Sequence, residues 1–324
     1  MLQIIEARGS SYDCGLAFGK AVARNIRYRL KTHFNNERFN RHLKELHEIY
    51  LCAEKYCPKL TSELHGMAEG AKIDFWHMLF LNSPEITHVE SGCTSIAEKH
   101  GKTVRLFHNE DGIPKERTED CFLVHYKRTD GPSFFAFTSA GELPGGSFSW
   151  NEHRLFFSVN FLKPFKIRLK KRVPRTFIAR NLVEARTIDE AVELLKNGHD
   201  ASGYHYYLGQ KDRIVSVENF RSEVSVKNVK GVDLHTNHYT HPAFAEKAHI
   251  GKHSRIRTEQ ASNMLKAGAE PLTILANREY APFSICTKRN ENRHTISTVE
   301  FSPKEKKVTL FEPQTLRKEK EFEL

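Results

Sequence analysis

Long apolar runs are missing from this chain of 324 residues. None approaches the roughly 18 residues a bilayer-spanning helix needs, which argues against a membrane span. Residues Met1 to Arg8 lack a basic stretch followed by a long apolar one, so no secretory leader is predicted. Cysteine is scarce, with six at 14, 52, 57, 93, 121 and 286 and no CxxC pair. That excludes a disulfide framework and a zinc knuckle and fits a reducing, cytoplasmic setting. No G-x-S-x-G nucleophile elbow is present. The glycine–lysine pair near Gly15 to Lys20 has the wrong length for a phosphate loop.

What is present is an ordinary globular composition. Hydrophobic residues make up 39% and charged ones 28%, enough to build a sizeable core. The formal net charge is +10. Its densest run is Lys163, Lys166, Arg168, Lys170, Lys171, Arg172 and Arg175. Phe161, Phe165 and Phe177 flank this run and do not alternate with it, unlike a base-stacking platform. A solvated loop near a pocket is the simpler reading, since charge alone speaks to solubility and steering.

The first 90 residues read as mainly helical. Leu16, Val22, Ile26 and Leu30 mark one apolar stripe. A second helix is expected over 43–57, stopped by Pro58, and a third over 61–71. Asp74 reads as the N-cap of a short helix over 75–81. After residue 92 short β-branched and aromatic runs take over, at 104–107, 121–127, 133–138, 154–162 and 214–218. Thr187 with Glu190 forms a capping box opening a helix that closes at Asn197-Gly198. Another helix is expected over 254–267, followed by strands over 295–301 and 307–311. Helices and strands in blocks argue for an α+β layered domain and against a Rossmann sheet.

The segment Ser91-Gly92-Cys93-Thr94-Ser95-Ile96 carries the chemistry. If the Gly92–Cys93 bond is cut, Cys93 gains a free α-amine beside its thiol. With an ordinary pKa near 8, that amine can take the thiol proton, so nucleophile and base share one residue. His235, His238 and His241 form an H-x-x-H-x-x-H string, but no carboxylate or cysteine follows at ligand spacing. No metal or other cofactor is therefore assigned.

Several short segments resemble the acyl-coenzyme A:6-aminopenicillanic acid acyltransferase family of N-terminal-nucleophile hydrolases. They are Arg8 to Gly19, Leu64 to Ala71 with Leu79-Phe80-Leu81-Asn82, Gly92-Cys93-Thr94-Ser95, Asn109-Glu110-Asp111, His235 to Tyr239, and Ser254-Arg255-Ile256-Arg257. They keep the family's order across about 250 residues.

The resemblance implies a four-layer αββα sandwich. It also implies self-cleavage into a helical N-terminal segment, 1–92, and a catalytic domain, 93–324. By the same resemblance Cys93 is nucleophile for both self-cleavage and catalysis. Asp111 holds the new α-ammonium or orients the nucleophile, and Asn237 donates to the oxyanion. Asn160, in a stretch similar to the related bile-salt hydrolases and penicillin V acylases, is a further oxyanion candidate.

Two departures stand out. Glu110 replaces the family's tryptophan, and Thr287 stands where an arginine is common, with Lys288, Arg289 or Arg293 as replacements to consider. The implied activity is hydrolysis of a small N-acyl amide through a thioester. Transfer of the acyl group from an amide or thioester to an amine is the alternative. A rival of another class is a non-catalytic protein binding an anionic ligand or nucleic acid through 163–175. Whether the chain pairs with itself is left open.

Overall fold

The computed structural model describes residues 2–87, 92–112, 116–162, 169–221, 223–247, 250–288 and 294–324. The chain opens with strand β1 (Gln3–Gly9) and continues through seven helices. These are α1 (Ser11–Ala21), α2 (Ala23–His33), α3 (Asn36–Arg41), α4 (Leu43–Tyr56), α5 (Pro58–Ala71), α6 (Phe75–Leu81) and α7 (Pro84–Thr87). Six strands follow: β2 (Gly92–His100), β3 (Thr103–Gly112), β4 (Cys121–Arg128), β5 (Phe134–Ser139), β6 (Phe148–Asn151) and β7 (Phe156–Phe161). Then come α8 (Arg175–Asn181) and α9 (Ile188–Lys196), and strands β8 (Tyr204–Gln210), β9 (Arg213–Phe220), β10 (Glu223–Asn228) and β11 (Gly231–His235). Helices α10 (Lys252–Lys266) and α11 (Pro271–Leu275) precede β12 (His294–Ser302), β13 (Lys307–Phe311) and β14 (Lys318–Glu323).

The strands form two sheets, ordered β1-β4-β5-β6-β7-β8-β9-β10 and β11-β2-β3-β12-β13-β14. Alternation along each strand sends successive side chains to opposite faces and so fixes the layers. From β7, Phe157 and Val159 join Phe18, Leu64, Met67 and Phe177 in a core between the larger sheet and the N-terminal helices with α8 and α9. Phe156 faces the other way and packs with Leu106, Val299 and Phe301 between the sheets. On the outer face of the smaller sheet, Ile96 and Phe107 meet Ala261, Ile274 and Leu275 of α10 and α11. The result is the expected four-layer αββα sandwich, with three apolar layers between four structural ones.

Asp74 caps α6 as expected. At α9 the Thr187 hydroxyl accepts from the Glu190 amide, but the Glu190 carboxylate accepts from the Arg186 amide, so only half of the expected box forms. A full box forms instead at α1, between Ser10 and Asp13. The reading of Pro58 as a stop is only half of its role. It occupies the first turn of α5, where its missing N–H costs nothing, so one helix ends and the next begins at once. The apolar stripe 16–30 is split between α1 and α2 at Val22.

The N-terminal segment is not wholly helical. β1 pairs in parallel with β4 over seven residues, Gln3 opposite Phe122 to Gly9 opposite Arg128. Ile5 and Ala7 point into the helix-side core, a two-residue alternation too short to announce itself.

Helices α1 and α5 approach unusually closely. A Cβ at Gly15 would lie 2.0 Å from the Glu63 carbonyl oxygen, and one at Gly66 would lie 2.2 Å from the Tyr12 carbonyl oxygen. Gly19 and Gly70 are equally crowded by Met67 and Leu16. Gly15, Gly19, Gly66 and Gly70 of the first two family-like segments are therefore the contact surface between two helices.

Candidate active site

Gly92 and Cys93 form the first rungs of the β2–β3 ladder, opposite Asp111 and Glu110. Register then decides which groups meet the thiol. Cys93 and Ser95 of β2, with Glu110 and His108 of β3, project to the inter-sheet face. Thr94, Asn109 and Asp111 project to the α10–α11 face. The Cys93 thiol donates to Glu110 Oε2 at 3.5 Å, and that same oxygen lies 3.2 Å from His108 Nε2.

Thiol sulfur, imidazole nitrogen and carboxyl oxygen all lie within 4.8 Å of one another. Such a set could hold a divalent ion, but the hydrogen bonds joining the three account for their spacing without one.

Behind this triad runs a buried polar seam. The Ser95 hydroxyl donates to Asn160 Oδ1 at 2.8 Å, so it accepts from His108 Nδ1, also at 2.8 Å. A hydroxyl has a single proton to give, which leaves His108 Nε2 as the acceptor facing Glu110. Asn160 Oδ1 also lies 3.1 Å from His205 Nδ1, while its Nδ2 has no partner among the described residues.

The backbone of Cys93 is held at both polar ends. Its N–H donates to Asn237 Oδ1 at 3.1 Å. Its carbonyl accepts from Arg257 Nη1 at 2.5 Å. The Arg257 guanidinium also bonds Thr94 Oγ1 at 2.7 Å and Asn237 Oδ1 at 2.5 Å, and lies 3.9 Å from Asp111 Oδ2. Asn237 Nδ2 donates to the Phe161 carbonyl at 3.1 Å. Asp111 accepts from the Thr295 hydroxyl at 2.7 Å. The structure thus gathers Cys93, Asp111 and Asn237 around one buried cation and sets Asn160 one side chain deeper, behind Ser95.

Arg257 is the residue the sequence reading passed over as a site member. It lies on the inward stripe of α10 with Ser254 and Ala261, at i−3 and i+4, while Arg255 between them is exposed. That spacing was the available signal. Ser254 supports the same loop, its hydroxyl accepting from the Asn237 amide at 2.8 Å. Near Thr287, Lys288 is exposed, and Arg289 and Arg293 lie outside the described residues, as do Lys163, Lys166 and Arg168. The three histidines of the 235–241 string diverge, His235 to Glu218, His238 to Ser254 and His241 to Ser216 and Ser225.

Burial dominates the electrostatics. It pushes the Cys93 thiol well above its ordinary 9.0, with Glu110 and Asp111 adding to the rise and Arg257 opposing it. Burial raises the Glu110 carboxyl well above 4.5 and holds His108 down to about 3. Burial thus works against the charged form of each member of the triad.

Cys93 and Glu110 line a cavity of about 90 Å³. Its walls include Arg29 of α2, Thr87 of α7, Glu142, Phe161 and Arg175. Arg29 donates to Glu142 Oε1 at 2.5 Å, and the Arg175 guanidinium lies 4.2 Å from the Phe161 ring centre. Asn82 ties α6 to this wall, donating to Gly141 O at 2.7 Å and accepting from the Leu143 amide.

The Cys93 thiol thus meets a carboxyl, while an amide and a buried guanidinium hold its backbone. The chain belongs to the acyl-coenzyme A:6-aminopenicillanic acid acyl-transferase family, whose model matches residues 97–317 and starts just after Cys93. It is thereby one of a family of acyl-transferring and amide-hydrolysing enzymes. The chain is similar to the beta-alanyl-dopamine/carcinine hydrolase of Drosophila melanogaster. The two are 25% identical over 300 residues, covering 81% of this chain and 75% of that one. A solved penicillin V acylase from Agrobacterium tumefaciens aligns over 70% of this chain and 84% of its own, at 13% identity and a TM-score of 0.44. Among the described residues no helix is long and apolar enough to cross a membrane.

Proposed function

We propose that this protein is a cysteine amidohydrolase that activates itself by cutting the Gly92–Cys93 bond. The observation that carries the reading is the double clamp on Cys93. Its N–H is held by Asn237 and its carbonyl by Arg257, while its thiol meets Glu110, and both residues line the cavity. Fixing the backbone of one residue this way is positioning, which lowers the entropic part of an activation barrier.

After the cut the N–H held by Asn237 Oδ1 becomes the α-amine, so the same contact keeps the new base beside its thiol. That thiolate then attacks a substrate carbonyl to form a thioester and release the amine, and water completes hydrolysis. Asn237 Nδ2 has a second proton beyond the one given to Phe161, and this is the group offered to the oxyanion. Asp111 acts through Arg257, whose charge it balances from the outer face. Residues 1–92 remain bound as the smaller chain of the cut enzyme.

The substrate class is a short acyl amide of a small amine. A cavity of about 90 Å³ suits a short acyl group. A β-alanyl group is short enough to be one, in keeping with the name of the Drosophila relative.

Intact mass under denaturing conditions tests the reading. Wild type is expected as two fragments meeting between residues 92 and 93, and Cys93→Ala as one species of 37.4 kDa. Wild type should also release amine from a β-alanyl amide, and Cys93→Ala should not. A single uncut species in both proteins, or undiminished amide hydrolysis by Cys93→Ala, would overturn it.

A further inference from the structure

The α-amine cannot start the first cut, because before it the nitrogen of Cys93 is an amide. The precursor needs another proton acceptor for a thiol that burial keeps protonated. Of the two carboxyls beside Gly92 and Cys93, strand alternation sends Asp111 to the outer face with Arg257 and Thr295. Glu110 goes to the thiol's face, 3.5 Å from the sulfur.

Resting on the self-cleavage reading, we propose that Glu110 is the proton acceptor for Cys93 in that first cut, with His108 behind it as the positioning and relay group. The thiol proton passes to Glu110 Oε2 as the carboxyl proton passes to His108 Nε2. The thiolate sulfur bonds to the Gly92 carbonyl carbon, and the C–N bond to Cys93 breaks. The proton then returns from His108 through Glu110 to the departing nitrogen, which becomes the α-amine. Water hydrolyses the thioester, leaving the Gly92 carboxylate and the free thiol.

No net charge enters the site. Thiolate and imidazolium appear together, so the burial that opposes ionisation of either group alone weighs less on the pair.

The seam prepares His108 for this. Its Nδ1 proton is committed to Ser95, whose own proton is committed to Asn160, so Nε2 is fixed as the acceptor. Ser147 Oγ, 3.3 Å from Nε2, completes the cage. Other charged or titratable groups face the triad from every side. Glu116 with its Arg29 partner and Arg175 lie on the cavity side, Asp111 and Arg257 on the α10 side, and His205 along the seam. Arg29 and Arg175 already carry their protons and cannot accept another, and Glu116 is engaged by the Ser139 hydroxyl and Arg29, which leaves Glu110 as the carboxyl on the thiol.

The test follows fragment formation by intact mass, starting from full-length precursor made by cell-free synthesis with chelator present. Wild type, Glu110→Gln, Glu110→Asp, His108→Gln and Cys93→Ala are compared at pH 6 to 9. Glu110→Gln keeps the size and polarity of the side chain but cannot accept the proton. Its cut is expected to slow about 100-fold or more, the ordinary scale of general acid–base assistance. Its rate should climb about tenfold per pH unit, because only hydroxide then removes the thiol proton, while the wild-type rate climbs less steeply. Glu110→Asp should recover part of the rate, and His108→Gln should share the steeper pH dependence. Equal rates and equal pH slopes in wild type, Glu110→Gln and His108→Gln would overturn this inference and leave the Cys93 reading intact. A wild type that never cuts would sink the Cys93 reading itself.

Discussion

Arg257 carries its charge where no water competes for it. Its planar fork meets a backbone carbonyl, a hydroxyl and an amide oxygen at once, with Asp111 as counter-charge. A lysine would bring the same charge on a single point and could not span those acceptors. Arg257→Lys is therefore expected to slow self-cleavage by roughly 100-fold, about 3 kcal/mol, while the chain still folds. Intact mass against time, with thermal unfolding as the control, measures both.

At this scale the sequence was legible where a residue's neighbours are also its contacts. Cys93, Glu110 and Asp111 are near one another along β2 and β3, and their meeting follows from a single ladder. Asn237 and Arg257 arrive from a loop and a helix 144 and 164 residues after Cys93, and nothing local in their spacing announces a shared partner. Arg257 looked like one more arginine at a helix start until the burial of its stripe was visible.

Among the elements, the same division holds between local and distant causes. Caps at Asp74 and Thr187 are realised because a cap is a contact within three residues. Strands β1, β8 and β14 were not anticipated: β1 pairs with β4 far along the chain and β8 with β7 across α8 and α9, whereas β14 pairs with the strand just before it and is hidden by its composition. β14, Lys318–Glu323, is mostly charged and is held by antiparallel pairing to β13. The glycines of α1 and α5 were legible as a pattern but not as a cause.

Their cause is steric, with each position facing backbone that cannot step aside. Gly66→Ala is expected to cost about 3 kcal/mol and to lower Tm by roughly 5–10 °C, as overpacking against main chain does. Calorimetry on Gly66→Ala beside an exposed helix substitution such as Lys55→Ala separates this from helix propensity, which by itself would favour alanine.

At the level of the whole molecule, residues before and after the proposed cut share one body. β1 is an edge strand of the larger sheet, hydrogen-bonded to β4. Phe18, Leu64 and Met67 pack into the same core as Tyr126, Phe134 and Phe177. Glu63 of α5 meets Arg180 of α8 at 2.8 Å with both side chains fully buried, a pair whose breakage leaves an uncompensated charge. The two fragments are therefore expected to elute together on native size exclusion and to separate only under denaturant. Elution as two species from native buffer would contradict that shared body.

The seating of β1 has one further consequence. In the uncut chain this strand is tethered to its slot beside β4 by the intervening sequence, and folding is a matter for one molecule. If the proposed cut severs the tether, the denatured protein consists of two separate polymers, and recovering the sheet becomes an encounter whose speed depends on dilution. The enzyme would be assembled easily once and reassembled only with difficulty, so its working life is set by how rarely it comes apart.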